Sequence, residues 1–145
     1  MFFPLLYRWI EVSLVFLVFS STLAAQSFLA EINQEHDPAK RSELALSYAD
    51  ESFDNARNFY KSGTPEKGDA ALDNMTTALQ ACVQSLAVSN KARFYKKAEM
   101  KVAYLQRRLS GLIEDLSVTE RGWAEQTKRK VEDIHEKLLD GVMRK

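Results

Sequence analysis

The chain has 145 residues, enough for one domain, and its 46% hydrophobic and 28% charged residues exclude long disorder. Its 20 basic and 20 acidic side chains give a formal net charge of zero. A neutral chain has no overall field that would draw it to nucleic acid or to an anionic membrane. Five glycines and three prolines leave few turns, which favours long helices over a sheet.

Residues 1–25 differ from the rest of the chain and are typical of a secretory signal peptide. Arg8 and Glu11 are their only charged side chains, and an apolar run followed by small residues leads up to Ala25. We place cleavage after Ala25, with Ala24 as the neighbouring alternative. An uncleaved anchor is the other interpretation, because the whole segment reaches the roughly 20 residues that a spanning helix needs. In either case we expect the folded part to be periplasmic or secreted, with membrane contact only through an uncleaved segment.

Residues 26–37 form a lead-in segment, which either folds onto the helical domain of residues 38–145 or extends its first helix backward. Asp37 followed by Pro38 is a typical helix start, with aspartate as the N-cap and proline at the first helical position. We therefore predict the first long helix from about Pro38 to Ser62.

A turn at Gly63 ends this helix, because glycine accepts the left-handed backbone that commonly follows a helix. The second helix is predicted from about Pro65 to Val88, with Thr64 as its cap. The sole cysteine, Cys82, falls on the apolar stripe of this helix, and a single cysteine can form no intramolecular disulfide. We expect Cys82 to be an inert buried thiol.

The third helix is predicted from about Lys91 to Leu116, after a turn at Ser89 and Asn90. A turn is needed there because the apolar stripe of the second helix does not continue in phase into the third. The third helix has the most regular apolar stripe of the chain, a seven-residue repeat that indicates one buried face. The stripe consists of Ala98, Val102, Leu105, Leu109, Leu112 and Leu116.

Ser117 and Glu120 have the spacing of a capping box, so the fourth helix is predicted from about Val118 to Met143. Four helices of about 25 residues joined by very short turns have to alternate in direction. The predicted fold is therefore all-α, an antiparallel up-down-up-down four-helix bundle after the N-terminal signal segment. Two packed long helical hairpins are the alternative.

Few residues suit a cofactor. Glu132 and His135 have the spacing of a di-iron ligand pair, but di-iron bundles use this motif twice and the chain contains it once. Haem would need an inward-facing histidine or methionine, for which His135, Met75, Met100 and Met143 are the candidates. We expect Met75 to fill the core and His135 to lie at the bundle margin, so no cofactor and no metal are predicted.

The sequence also lacks recognisable catalytic motifs. It has no glycine-rich phosphate loop, no nucleophile elbow and no cluster of cysteine and histidine. The predicted connections are short and leave little loop from which an active site could be built. We therefore expect no enzyme and assign no catalytic residue.

The most distinct surface feature is a row on the third helix, which we call the basic strip. Helical spacing aligns its members on one side of the helix. One interpretation is a solvated face, partly neutralised by acids of the fourth helix such as Glu125, Glu132 and Glu136. The other is a surface that binds an acidic protein or an anionic lipid or envelope polymer, with Tyr104 as a flat anchor. The strip consists of Arg93, Lys96, Lys97, Lys101, Tyr104, Arg107 and Arg108.

These features favour an exported small helical protein that acts by binding, as an adaptor, scaffold or complex subunit. The expected partner is another protein or an anionic envelope component, and not nucleic acid. A haem- or metal-carrying bundle and a membrane-anchored periplasmic stalk are the alternative functions.

Overall fold

The computed structural model describes residues 28–144, so the predicted signal peptide or anchor of residues 1–25 lies outside the described residues. All regular secondary structure within residues 28–144 is helical, which confirms the all-α prediction for this part of the chain. None of the helices in the same range is both long and apolar enough to cross a membrane.

The described residues form five helices, and four of them are long. The first, α1, covers residues 28–34, and residues 35–37 after it are not helical. The lead-in segment is therefore not a backward extension of the first long helix, and α1 belongs to a unit of its own. The four long helices are α2 (Pro38–Lys61), α3 (Pro65–Ser89), α4 (Ala92–Asp115) and α5 (Arg121–Met143).

Local chemistry accounts for most helix ends. The Oδ1 atom of Asp37 accepts a hydrogen bond from the backbone N–H of Ala39 at 3.0 Å, which confirms the predicted N-cap of α2. Gly63 has a φ of 79° and Asn90 a φ of 50°, so both predicted turns use the left-handed region. Thr64 occupies the N-cap position of α3, but its hydroxyl donates to a carbonyl at the end of α2 and makes no cap hydrogen bond.

The predicted capping box before α5 is wrong. The Ser117 hydroxyl forms a hydrogen bond with the Thr119 hydroxyl at 3.1 Å. The Ser117 carbonyl accepts the backbone N–H groups of Glu120 and Arg121, both at 3.1 Å, which closes a turn. Because the serine side chain is used inside this turn, Glu120 becomes the N-cap and the helix begins at Arg121, three residues later than predicted.

Apolar residues of all four long helices form the core, including the predicted stripe of the third helix, now α4. All six residues of the α4 stripe are buried, and Phe53 of α2, Leu79 of α3 and Ile134 of α5 are buried as well. Cys82 is also buried, and burial raises the pKa of its thiol to about 12. The thiol therefore stays protonated near neutral pH, as expected of a core residue rather than a nucleophile.

Contacts between helices show that α2 and α3 form one antiparallel hairpin and α4 and α5 another. Near one end of the first hairpin Arg41 Nε donates to Ser85 Oγ at 2.9 Å, and near the other end the Tyr60 hydroxyl donates to Asp69. Contacts within these two hairpins are the most extensive between elements. In the second hairpin His135 contacts Glu99 and Gly141 lies against Tyr95, so residue numbers run in opposite directions along α4 and α5.

Between the hairpins, α4 lies beside α2 and α5 beside α3. Lys97 contacts Glu43 and Arg108 contacts Asp54, so residue numbers rise together along α4 and α2. These two neighbouring helices are therefore parallel, although consecutive helices alternate in direction. The Trp123 Nε1 donates to the Asp73 carboxylate at 3.0 Å and joins α5 to α3.

Candidate functional site

The basic strip lies on α4, and the structure divides its cations into three groups. Three of them form ion pairs with acids of α2, one pairs with a glutamate of α4 itself, and two have no acidic partner among residues 28–144. The groups are, in this order, Lys97, Lys101 and Arg108; Lys96; and Arg93 and Arg107. Tyr104, the aromatic member, is exposed between the paired cations.

Two lysines of the strip reach across to α2. The Lys97 Nζ lies 2.7 Å from Glu43 Oε1, and the Lys101 Nζ lies 2.8 Å from Asp50 Oδ2. The Lys97–Glu43 pair is well exposed and contributes little to stability, whereas the Lys101–Asp50 pair is about two-thirds buried. Both pairs neutralise positive charge of the basic strip.

Arg108 is the most engaged member of the strip. Its guanidinium binds Asp50 at 3.3 Å and Asp54 at 2.6 Å. It also lies over the rings of Phe53, 4.5 Å from the centroid, and Tyr104, 5.5 Å from the centroid. Burial alone would lower the pKa of Arg108, but the hydrogen bond and charge of Asp54, together with the charges of Tyr104 and Asp50, outweigh it and raise the pKa. Arg108 therefore stays charged and fastens α4 to α2.

Apart from Glu99 of α4, the acids that pair with the strip come from α2 and not from α5, the helix predicted to supply them. Within the described part of the chain, Glu125, Glu132 and Glu136 form no ion pair with the strip. The helical periodicity of α4 shows how far around the helix the strip lies from the apolar stripe. It does not show which neighbouring helix packs against the side that carries the strip. Glu43, Asp50 and Asp54 do form a row of acids at helical spacing on α2, but α5 carries a similar row, so the sequence does not distinguish the two helices.

A second charged cluster joins α4 to α5. The nearly buried carboxylate of Glu99 contacts His135 Nε2 at 2.9 Å and Lys96 Nζ at 3.1 Å. The hydrogen bond to His135 and then the one to Lys96 lower the pKa of Glu99, against the opposing effect of burial. His135 is thus held by Glu99 and not by Glu132, the residue three positions before it that forms the di-iron spacing.

The other residues considered for a cofactor lie in different environments. Met75 is fully buried in the core, as predicted, while Met100 and Met143 are exposed. Residues 28–144 contain no group of three or more His, Cys, Asp or Glu side chains that could hold a metal ion. The described structure therefore does not bring the candidate ligands together.

A groove of about 540 Å³ runs between α2 and α4. Its exposed apolar surface comes from Met100 and Tyr104 of α4, whose side chains are 59% and 43% exposed, above the buried Leu46 of α2. Sequence reasoning singled out Tyr104 but considered Met100 only as a haem ligand. The groove is lined by Glu43, Leu46, Ser47, Asp50, Lys97, Met100, Lys101 and Tyr104.

Another cavity, of about 560 Å³, lies near the end of α5 and includes Tyr95 and Gly141 in its lining. Its charged lining residues, Lys137, Asp140 and Arg144, are exposed to solvent. Charges that remain hydrated are weak determinants of specific binding. The groove between α2 and α4 is the stronger candidate.

Residues 28–144 are thus helical apart from their short connections, carry a groove between α2 and α4, and contain no group of side chains that could hold a metal ion. Comparison of the chain with protein-family models, curated proteins and solved structures gives no significant match.

Proposed function

We propose that this chain is an exported small helical protein that acts by binding another protein, as an adaptor, scaffold or complex subunit. Its scaffold is a four-helix bundle made from the hairpins α2–α3 and α4–α5. Its binding surface is the groove between α2 and α4. Export is inferred from the signal-like pattern of residues 1–25.

The observation that supports this proposal is the position of the exposed apolar side chains. Among the large hydrophobic residues exposed in the described part of the chain, Val88, Val118, Trp123 and Met143 lie in turns or near helix ends. Met100 and Tyr104 instead lie one turn apart within α4 and share one groove. Methionine adapts its shape to a partner, and tyrosine is enriched among residues that dominate binding energies.

The charges of the groove favour a protein over an anionic lipid or polymer. Four of the six cations of the basic strip pair with acids, and the charged residues that line the groove are two lysines, Lys97 and Lys101, and two acids, Glu43 and Asp50. Little net positive charge is left to attract a uniformly anionic surface. A protein can present apolar side chains to Met100 and Tyr104 and polar groups to the ion pairs around them.

Site-specific photo-cross-linking in the cells that make the protein tests the proposal. A photoreactive amino acid at position 100 of the full chain is expected to give cross-linked products heavier than the chain. The same amino acid at position 132, exposed on α5, is the matched control and is expected to give few. If position 132 cross-links as strongly as position 100, or if position 100 gives no product, the groove is not the binding surface.

The N-terminal residue of the protein recovered from those cells tests export separately. A mature chain that begins near Gln26 is expected if residues 1–25 are a cleaved signal peptide. A membrane-bound chain that still begins at Met1 would instead indicate an anchored stalk.

A further inference from the structure

We propose that the groove between α2 and α4 binds a second copy of this chain and forms a symmetric dimer. The inference rests on the proposed function, because it names the partner of the same groove. The evidence for a second copy is the arrangement of charge along α2 and α4, because this arrangement limits which partner surfaces can bind to the two helices.

The groove has one acidic side and one basic side. Glu43 and Asp50 line the α2 side, and Lys97 and Lys101 line the α4 side. Beyond the groove, Asp54 continues the acidic row and Arg108 continues the basic row. Because α2 and α4 are parallel, the acids and the cations form two parallel rows, joined across the groove by the ion pairs. Met100 and Tyr104 belong to the basic side and supply the apolar contact surface.

A partner of one charge fits these rows poorly. An acidic protein would be attracted by the α4 row and repelled by the α2 row, and a basic protein would meet the reverse. The fitting partner carries one acidic and one basic row, about 8–10 Å apart as on two packed helices. The described part of this chain presents such a surface in the groove itself.

Symmetry determines how a second copy lies on the groove. A two-fold axis that runs along the groove places the α2 row of each copy over the α4 row of the other. Glu43 of one copy then faces Lys97 of the second copy at the same height, because these two residues already pair within each chain. An axis across the groove would place acids over acids, so like charges disfavour that orientation.

A charge-swap experiment tests this arrangement on the full chain. Glu43→Lys combined with Lys97→Glu keeps an ion pair between positions 43 and 97 within each chain. It reverses the charge of both rows at these two positions. Two differently tagged copies are produced in the same cells, and the fraction that co-purifies is measured. We expect wild type to pair with wild type and the swapped chain with itself, while mixed pairs fall by at least about fivefold because like charges meet.

The control is Glu132→Lys, a charge reversal on the exposed face of α5. This variant is expected to pair with wild type normally, and the unfolding transitions of all variants should match that of the wild type. The dimer is refuted if tagged copies do not co-purify at all, or if mixed and matched pairs co-purify equally.

The cross-link at position 100 separates failure of the dimer from failure of the proposed function. A product with twice the mass of the chain, containing only its peptides, supports the dimer. A product that contains a different protein leaves the binding function standing and overturns the dimer. Absence of any product from position 100 contradicts both.

Discussion

Gly141 of α5 lies directly against the ring of Tyr95 of α4. A β-carbon at position 141 would overlap the atoms of that ring, whereas a β-carbon at Gly111 would meet nothing within 4 Å. Both glycines lie inside helices, where glycine is less favourable than alanine. Of these two, Gly141 alone has a structural reason to be glycine, because the missing side chain leaves room for the Tyr95 ring between α4 and α5.

The two glycines should therefore respond oppositely to alanine. Gly111→Ala is expected to stabilise the protein by about 0.5–1 kcal/mol, since alanine is the better helix former and the site is open. Gly141→Ala is expected to destabilise it by about 1 kcal/mol, because displacement of the Tyr95 ring costs more than the helical gain. Urea unfolding monitored by circular dichroism measures both, and stabilisation by Gly141→Ala would show that the Tyr95 contact is not needed.

Core and strip positions of α4 should differ sharply in their effect on stability. Leu105 is fully buried, so Leu105→Ala is expected to cost roughly 2–5 kcal/mol in the free energy of unfolding. Lys97→Ala removes only an exposed ion pair and is expected to stay within about 0.5 kcal/mol of the wild type. Chemical denaturation of both variants provides the check, and the reverse order would mean that α4 buries the opposite face.

Acid should weaken the contact between α4 and α5. The pKa of Glu99 is lowered in the folded protein below its usual value of 4.5, chiefly by the hydrogen bond to His135. The ionised carboxylate thus stabilises the fold above about pH 4.5, and this contribution is lost as the pH falls through the lowered pKa. Glu99→Gln is expected to be less stable than the wild type at pH 7 and to lose less stability between pH 5 and pH 3.

Glu132→Gln is the matched control for Glu99→Gln, because Glu132 is exposed and forms no ion pair within residues 28–144. Its unfolding free energy should follow the wild type at every pH. Equal slopes for Glu99→Gln and the wild type would show that the cluster of Lys96, Glu99 and His135 does not couple protonation to folding.

Features that depend on a few adjacent residues could be predicted from the sequence. The Asp37 cap, the turns at Gly63 and Asn90 and the buried stripes follow from local geometry and helical periodicity. The capping box at Ser117 failed for an equally local reason, since Thr119 competes for the same hydroxyl.

Features that depend on which helices are neighbours could not be predicted. The basic strip is visible as a row on one helix, but its neutralisation by Glu43, Asp50 and Asp54 requires that α4 lie beside α2. The Met100 surface is likewise recognisable only once α2 supplies the other wall of the groove. Short connections alternate the direction of helices but leave open which of them pack across the hairpins.

Two adjacent arginines of the strip should differ in their contribution to stability. Arg108 is only about 20% exposed, binds two carboxylates of α2 and lies over the Phe53 ring, so Arg108→Ala should cost about 2 kcal/mol. Arg108→Lys should recover part of that loss, because lysine keeps the charge but not the planar two-carboxylate contact.

Arg107 is exposed and has no acidic partner within residues 28–144, so Arg107→Ala should stay within about 0.5 kcal/mol. Urea unfolding in low and high salt measures all three variants. Equal effects of Arg107→Ala and Arg108→Ala would mean that Arg108 does not fasten α4 to α2, and the parallel arrangement of these helices would lose its main support.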